Sequence, residues 1–210
     1  MARPPSANAD ATRRKILAAA CELLVEGDSK SLGARAVARR AGVSPALIHH
    51  HFVDLDGLID VVVETMYEGV HKISFELLAA LGRGENIEAL IERSVRELFR
   101  HGHANKPFTR LFLITVIRAG ELDPARSEQT QTPALSAAAS GLAKRLGLTE
   151  LQVRMRVRSV VLLASRYAVF SDDELRRLIG SGSTDLHAAV EDHLVTVAKL
   201  MLMDGRRPEA

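Results

Sequence analysis

A chain of 210 residues, 47% of them hydrophobic, is long enough for one medium core or two small ones. Its single cysteine, Cys21, excludes an intrachain disulfide framework and a zinc cage of several thiolates. The net charge is only +2, yet residues 1 to 52 hold eight Lys/Arg against four Asp/Glu, which sets a basic N-terminal module on a slightly acidic remainder.

Residues 1 to 15 lack an apolar stretch and no run of about 18 uncharged apolar residues occurs, so neither a signal peptide nor a membrane span is expected, and the expected location is cytoplasmic. Nearly every segment carries apolar residues at helical spacing, and strictly alternating Val/Ile/Thr runs are absent. The expected fold class is therefore all-α. Asp10 is placed to cap a first helix whose stripe is Ile16, Leu17, Ala20, Leu23 and Leu24, and Gly27 is placed to stop it. Cys21 lies beside that stripe and reads as a small core hydrophobe.

A short second helix is expected from about Gly33 to Arg40. Gly42 permits the left-handed backbone of a tight turn, Ser44 is a good N-cap, and Pro45 suits the first position of a third helix. Two short helices joined so tightly make a helix-turn-helix, here over residues 33 to 52. Asp54 then caps a long helix to about Leu81, with Val53 placed to staple onto Leu58. Further helices are expected at about 86 to 101, 107 to 119, 127 to 146, 149 to 170 and 185 to 203, with a short one near 173 to 179. The expected division is a three-helix domain over 8 to 53 that holds the helix-turn-helix and a larger helical domain over 54 to 204.

The third helix, Ser44-Pro45-Ala46-Leu47-Ile48-His49-His50-His51-Phe52, carries three histidines in a row. Successive residues on a helix are turned by about 100°, so the three rings fan around the axis and do not converge on one metal ion. No metal ligand and no catalytic residue is assigned. Ile48 and Phe52, one turn apart, set the buried face. Ala46, Leu47 and His50 then point outward, with His49 and His51 on the flanks. A helix so oriented in a DNA major groove offers its central residues to base edges and its flanks to the sugar-phosphate walls. Ser44 and Pro45 open that helix, and Arg35 and Arg39 on the preceding one supply positive charge for phosphates.

These residues resemble the DNA-binding domain of the TetR family of transcriptional regulators. Val37-Ala38-Arg39-Arg40-Ala41-Gly42-Val43-Ser44 resembles the family's second helix and turn, and Ile48-His49-His50-His51-Phe52 its recognition helix, usually of Leu-Tyr-x-His-Phe type. The resemblance covers roughly residues 10 to 60. His49 stands where the family commonly has a tyrosine that touches the DNA backbone, and Leu55 where a lysine often contacts phosphate. The resemblance implies a ligand-responsive regulator, most often a repressor, that binds a palindromic double-stranded operator as a homodimer and is released by a small-molecule effector. The fanned histidines, the lack of convergent carboxylates and the lack of a phosphate-binding glycine loop set the expectation of no enzyme activity and no cofactor.

Leu186, Val190, His193, Val197 and Leu200 alternate steps of four and three, a stripe suited to a dimer interface or to packing within the chain. The resemblance implies an effector pocket in the larger domain. Its candidate lining is Met66, Phe99, Phe108, Phe112, Met155 and Phe170, with Arg118 and Arg166 as charges set in apolar helices. A buried arginine needs a partner, which an acidic effector or an internal carboxylate would supply. With 4% aromatic residues, an aliphatic or carboxylated effector suits the chain better than a large flat one. The rival readings are a helical interaction adaptor that has lost operator binding and a metal-dependent enzyme using His49 to His51.

Overall fold

The computed structural model describes residues 5–26, 33–117, 133–180 and 185–203, and every regular element among them is an α-helix. In chain order these are α1 (Pro5–Glu26), α2 (Ala34–Ala41), α3 (Pro45–Phe52), α4 (Leu55–Gly82), α5 (Ile87–Ala104), α6 (Lys106–Ile117), α7 (Pro133–Leu146), α8 (Glu150–Ala168), α9 (Asp172–Ile179) and α10 (Leu186–Met203). The fold class is all-α, with a helix-turn-helix module ahead of a larger helical part. Among the described residues no helix is long and apolar enough to cross a membrane.

The first helix starts earlier than its sequence suggested. Asp10 lies inside α1, which begins at Pro5, a residue well suited to a first turn because it has no N–H to leave unpaired. Gly27 lies outside the described residues, as do residues 118–119 and 127–132 of two expected helices. Other starts are chemically explicit. Asn86 accepts from the Ala89 N–H at 3.0 Å, while Thr149 with Gln152 and Ser171 with Glu174 form reciprocal capping boxes at α8 and α9.

Two compact units divide these helices. One takes α1 to α3, α4 as far as Tyr67, and α6 from Pro107; the other takes α4 from Glu68, α5 to Lys106, and α7 to α10. The units thus do not follow a division at 53/54. Apolar packing explains the difference: Val62, Val63 and Leu111 are buried in the same cluster as Ile16, Val37, Ile48, Phe52 and Leu58. Cys21 is fully buried there, and burial pushes its thiol far above the usual range, so it packs as a hydrophobe.

The second unit is built on α5, α8 and α10, whose Phe99, Val153, Val160, Ala164, Leu194 and Ala198 are buried together. Burying each large aliphatic or aromatic side chain contributes about 1.5–3 kcal/mol. An ion-pair network joins α5 to α10: Glu191, only 6% exposed, accepts from Arg96 and Arg100.

Candidate nucleic-acid interface

The helix-turn-helix is assembled by backbone chemistry. Gly42 adopts φ 66°, ψ 38°, its N–H bonds to the Arg39 carbonyl at 3.3 Å, and the Val43 N–H reaches back to the Ala38 carbonyl at 3.0 Å. This pair of bonds closes α2 in a Schellman motif, for which glycine has the required left-handed freedom. Ser44 occupies the N-cap of α3 with extended backbone and Pro45 follows at N1, but the Ser44 hydroxyl makes no capping bond. The expected side-chain cap is absent, which leaves that exposed hydroxyl available to a partner.

Helix α3 is oriented by two anchors. Ile48 is 0% and Phe52 4% exposed. At about 100° per residue, His50 points about 180° from the mean direction of that pair. The burial pattern follows this geometry: Ala46, His49 and His50 are exposed, Leu47 and His51 half-buried. Ser44 and Pro45 are exposed as well. The rings of His50 and His51 meet edge to face at 5.2 Å.

His49 is tied down by its own helix end. Its Nδ1 lies 3.0 Å from the Val53 carbonyl oxygen, which can only accept, so Nδ1 carries the hydrogen. In the neutral ring Nε2 is then an acceptor, and it donates to a phosphate only when the imidazole is protonated. A tyrosine hydroxyl has no such requirement.

Positive charge on α2 is sorted by its neighbours. Arg40 is engaged by Glu22 and Glu26 of α1, and its hydrogen bond holds the Glu26 carboxyl below the usual range. Arg35 and Arg39 are exposed and have no ion-pair partner among the described residues. They are the α2 cations left for phosphate. Arg13 of α1 sits over the Phe52 ring at 5.3 Å, a contact that nothing in the sequence pattern announced. Leu55 is half-buried against the N-terminal core and supplies no charge at the start of α4.

The corner between α3 and α4 departs from expectation. Asp54 does cap α4, accepting from the Gly57 N–H at 2.8 Å. Val53, however, is 81% exposed and makes no staple onto the fully buried Leu58. It adopts φ 67°, ψ −57°, and the Asp54 N–H bonds to the Phe52 carbonyl at 2.7 Å across it. These angles and this bond define a γ-turn of the rare, strained kind. A β-branched residue gives no sequence signal for it. Val53→Gly is therefore expected to raise stability: relief of about 1–3 kcal/mol of strain outweighs the roughly 0.5–1 kcal/mol entropic cost of glycine. A rise in the urea midpoint of the N-terminal unit checks this; a fall shows that the turn is unstrained.

The residues expected to line an effector pocket do not form one group. Phe108 and Phe112 are half-buried against the N-terminal core, where Phe112 meets Tyr67 edge to face at 6.0 Å. Phe99 is 1% exposed inside the core of the second unit. Met155 is 63% exposed. Arg166 is exposed, not embedded, and its guanidinium lies 4.1 Å over the Phe170 ring. Arg118 and the Met66 side chain lie outside the described residues.

The stripe on α10 is likewise divided. Val190 is 1% exposed and belongs to its own chain's core, and Leu186 packs half-buried against that core. Val197 is half-buried, His193 exposed with Tyr167 at 5.8 Å, and Leu200 56% exposed. Helical period located the apolar residues of α10 but not which chain covers them. Met201 nearby is 38% exposed, and on α8 Leu151 is 67% exposed; Arg156 of α8 donates to the Met201 carbonyl at 2.9 Å.

A short helix pinned by two buried anchors, with its far face open and free cations on the helix before it, defines the class: a helix-turn-helix DNA-binding protein. Residues 16–62 match the family model described as bacterial regulatory proteins, tetR family. Solved structures extend the likeness in fold across the chain. A putative TetR-family transcriptional regulator from Mesorhizobium loti superposes with TM-score 0.56 at 17% identity, covering 92% of this chain and 96% of that one. The fatty acid degradation regulator FadR from Bacillus halodurans gives 0.59 at 15%, covering 99% and 100%. A TetR family transcription regulator from Marinobacter aquaeolei gives 0.59 at 15%, covering 90% and 95%. No curated protein matches the sequence. The N-terminal module is thus a TetR-family DNA-binding domain, and the chain has the fold of the TetR-family transcriptional regulators.

Proposed function

We propose that this protein is a ligand-responsive repressor that binds a palindromic operator as a homodimer and is released by a small-molecule effector. The observation that carries the reading is the presentation of α3: Ile48 and Phe52 buried, His50 opposite them, and Arg35 and Arg39 exposed without an intrachain ion pair among the described residues. One eight-residue helix offers too small an interface to find a single promoter, and two-fold pairing doubles it. Two such helices would enter successive major grooves about 34 Å apart. The open apolar residues Leu151 and Met155 on α8 and Leu200 and Met201 on α10 support the pairing surface.

In the roles we assign, Ala46, Leu47 and His50 face base edges, Ser44, Pro45, His49 and His51 lie against the strand walls, and Arg35 and Arg39 meet phosphates. Effector binding selects a different separation of the two helices. A hundredfold change in DNA affinity requires the effector to distinguish the two states by about 2.7 kcal/mol. The low aromatic content supports an aliphatic or carboxylated effector.

Selection of bound duplexes from a random library at about physiological salt tests the reading. An inverted repeat is the expected result; no motif from folded, dimeric protein favours an interaction adaptor. The roles within the site are tested by two substitutions. His50→Ala is expected to lose about 1–3 kcal/mol on the selected site and little on scrambled DNA. Arg39→Ala is expected to weaken both and to lower the salt slope by about 1. Equal effects of the two changes on both DNAs would overturn the assignment.

A further inference from the structure

The second unit brings together three side chains for which operator binding has no use. His103 lies near the end of α5, Asp172 opens α9 and His187 lies in the first turn of α10, and one donor atom from each lies within 4.8 Å of the other two. The two imidazoles meet edge to face at 4.3 Å, and His187 Nε2 is 3.1 Å from Asp172 Oδ1. Two donors bound to one tetrahedral zinc at about 2.0–2.1 Å stand about 3.3 Å apart, so the His187–Asp172 spacing already fits a shared ion.

We propose that His103, Asp172 and His187 form a binding site for a divalent transition-metal ion of the zinc, cobalt and nickel type. Two imidazoles and one carboxylate suit these borderline ions. Calcium and magnesium require sets made mainly of oxygen. Three protein donors leave a coordination position for water or for an exogenous ligand.

The surroundings prepare each donor. His103 Nδ1 lies 3.2 Å from the Ala168 carbonyl, to which it donates, so the ring is oriented and Nε2 keeps its lone pair. A backbone carbonyl holding the second nitrogen is the usual device for fixing a ligating histidine. Burial, then the Lys106 charge and His187, hold His103 below the usual imidazole range, which favours the neutral ring a metal needs. The hydrogen bond from His187 holds the Asp172 carboxyl below its usual range, in the ionised form. To bind metal through Nε2, the neutral His187 ring would carry its one hydrogen on Nδ1, leaving the Nε2 lone pair and the Asp172 carboxylate to the ion. Phe99 walls one side, its ring centroid 5.8 Å from that of His103 and 6.2 Å from that of His187. Lys106 opposes a dication, although its Nζ is held by the Phe170 carbonyl at 2.9 Å. Moderate affinity follows.

The site has a mechanical consequence. It would fasten the end of α5 to the starts of α9 and α10, and α10 carries the exposed residues His193 and Leu200. A bound ion would therefore stiffen the helix proposed to pair two chains.

Cobalt(II) titration of the metal-free full chain, followed by the visible ligand-field bands and by zinc competition, tests this. One equivalent per chain is expected, with zinc displacing cobalt and raising the thermal midpoint. Asp172→Asn changes an exposed side chain and His103→Gln a half-buried one; each is expected to weaken binding by about 100-fold or more and to abolish the zinc-dependent midpoint shift. Circular dichroism confirms that each variant folds, and Asp172→Asn decides alone should His103→Gln not. Absence of saturable binding overturns the site. So does binding retained in Asp172→Asn, which would move the metal to other histidines, His49 to His51 among them.

Discussion

Phe52→Ala is expected to lower the stability of the N-terminal unit by about 3–5 kcal/mol and to abolish sequence-specific DNA binding. Phe52 is 4% exposed, packs in one cluster with Ile16, Val37, Ile48 and Leu58, and has the Arg13 guanidinium over its ring. Truncation removes apolar burial and leaves a cavity. The consequence for function exceeds the loss of packing, because an eight-residue helix has no stability of its own and takes its direction from what it buries. With Phe52 gone, Ile48 alone cannot define which face of α3 looks outward.

The α3–α4 corner offers little accommodation, since a Cβ built at Gly57 would lie 2.4 Å from the Phe52 carbonyl oxygen. Any movement of that carbonyl disturbs the start of α4 as well. Cys21 provides the readout: it is the chain's single cysteine, fully buried in the same cluster. Its labelling by a thiol reagent should accelerate more than about a hundredfold in Phe52→Ala, reporting the opening of this unit. Phe52→Leu should restore most of the protection. Undiminished operator affinity in Phe52→Ala would show that α3 is not anchored as described.

The local rules written in the sequence explain why this module was legible. Gly42, Pro45 and Asp54 each answer a steric or hydrogen-bonding need within a few residues, and the 100° step of a helix ties His50 to the burial of Ile48 and Phe52. The failures arise where a distant segment decides. Val53 is held at positive φ by the meeting of two helices. Arg40, outside the expected phosphate contacts, is engaged by Glu22 and Glu26 on α1, a pairing that its own helix does not announce. In the larger unit, apolar period identifies Val190 and Leu200 equally, but Val190 is covered by its own chain and Leu200 is not. His103, Asp172 and His187 meet only because three helix ends do, a juxtaposition that no spacing encodes.

In the second unit the largest effect of removing a single charge is expected at Glu191. Both of its oxygens are used: Arg100 donates through Nε and Nη2 at 2.7 Å each, and Arg96 adds a bond at 3.2 Å. Arg96 is shared with Glu92 and Asp192. Glu191→Ala removes the anion between two guanidinium groups and leaves them facing each other. Breaking a buried pair usually costs about 3–5 kcal/mol, but the Arg100 side chain is 64% exposed and can rehydrate, so about 2–3 kcal/mol is expected. The companion variant separates charge from contact. Glu191→Leu with Arg100→Leu removes the close pair together, fills the space with apolar atoms, and should recover much of the loss, since an ion pair replaced whole is often near neutral. A double-mutant cycle from denaturant midpoints gives the coupling. Additive losses would mean that Glu191 and Arg100 do not act as a pair. A recovered midpoint combined with weakened dimerisation in sedimentation would assign the network a different task, holding the register of α10 on α5 so that His193, Val197 and Leu200 stay aligned for a second chain.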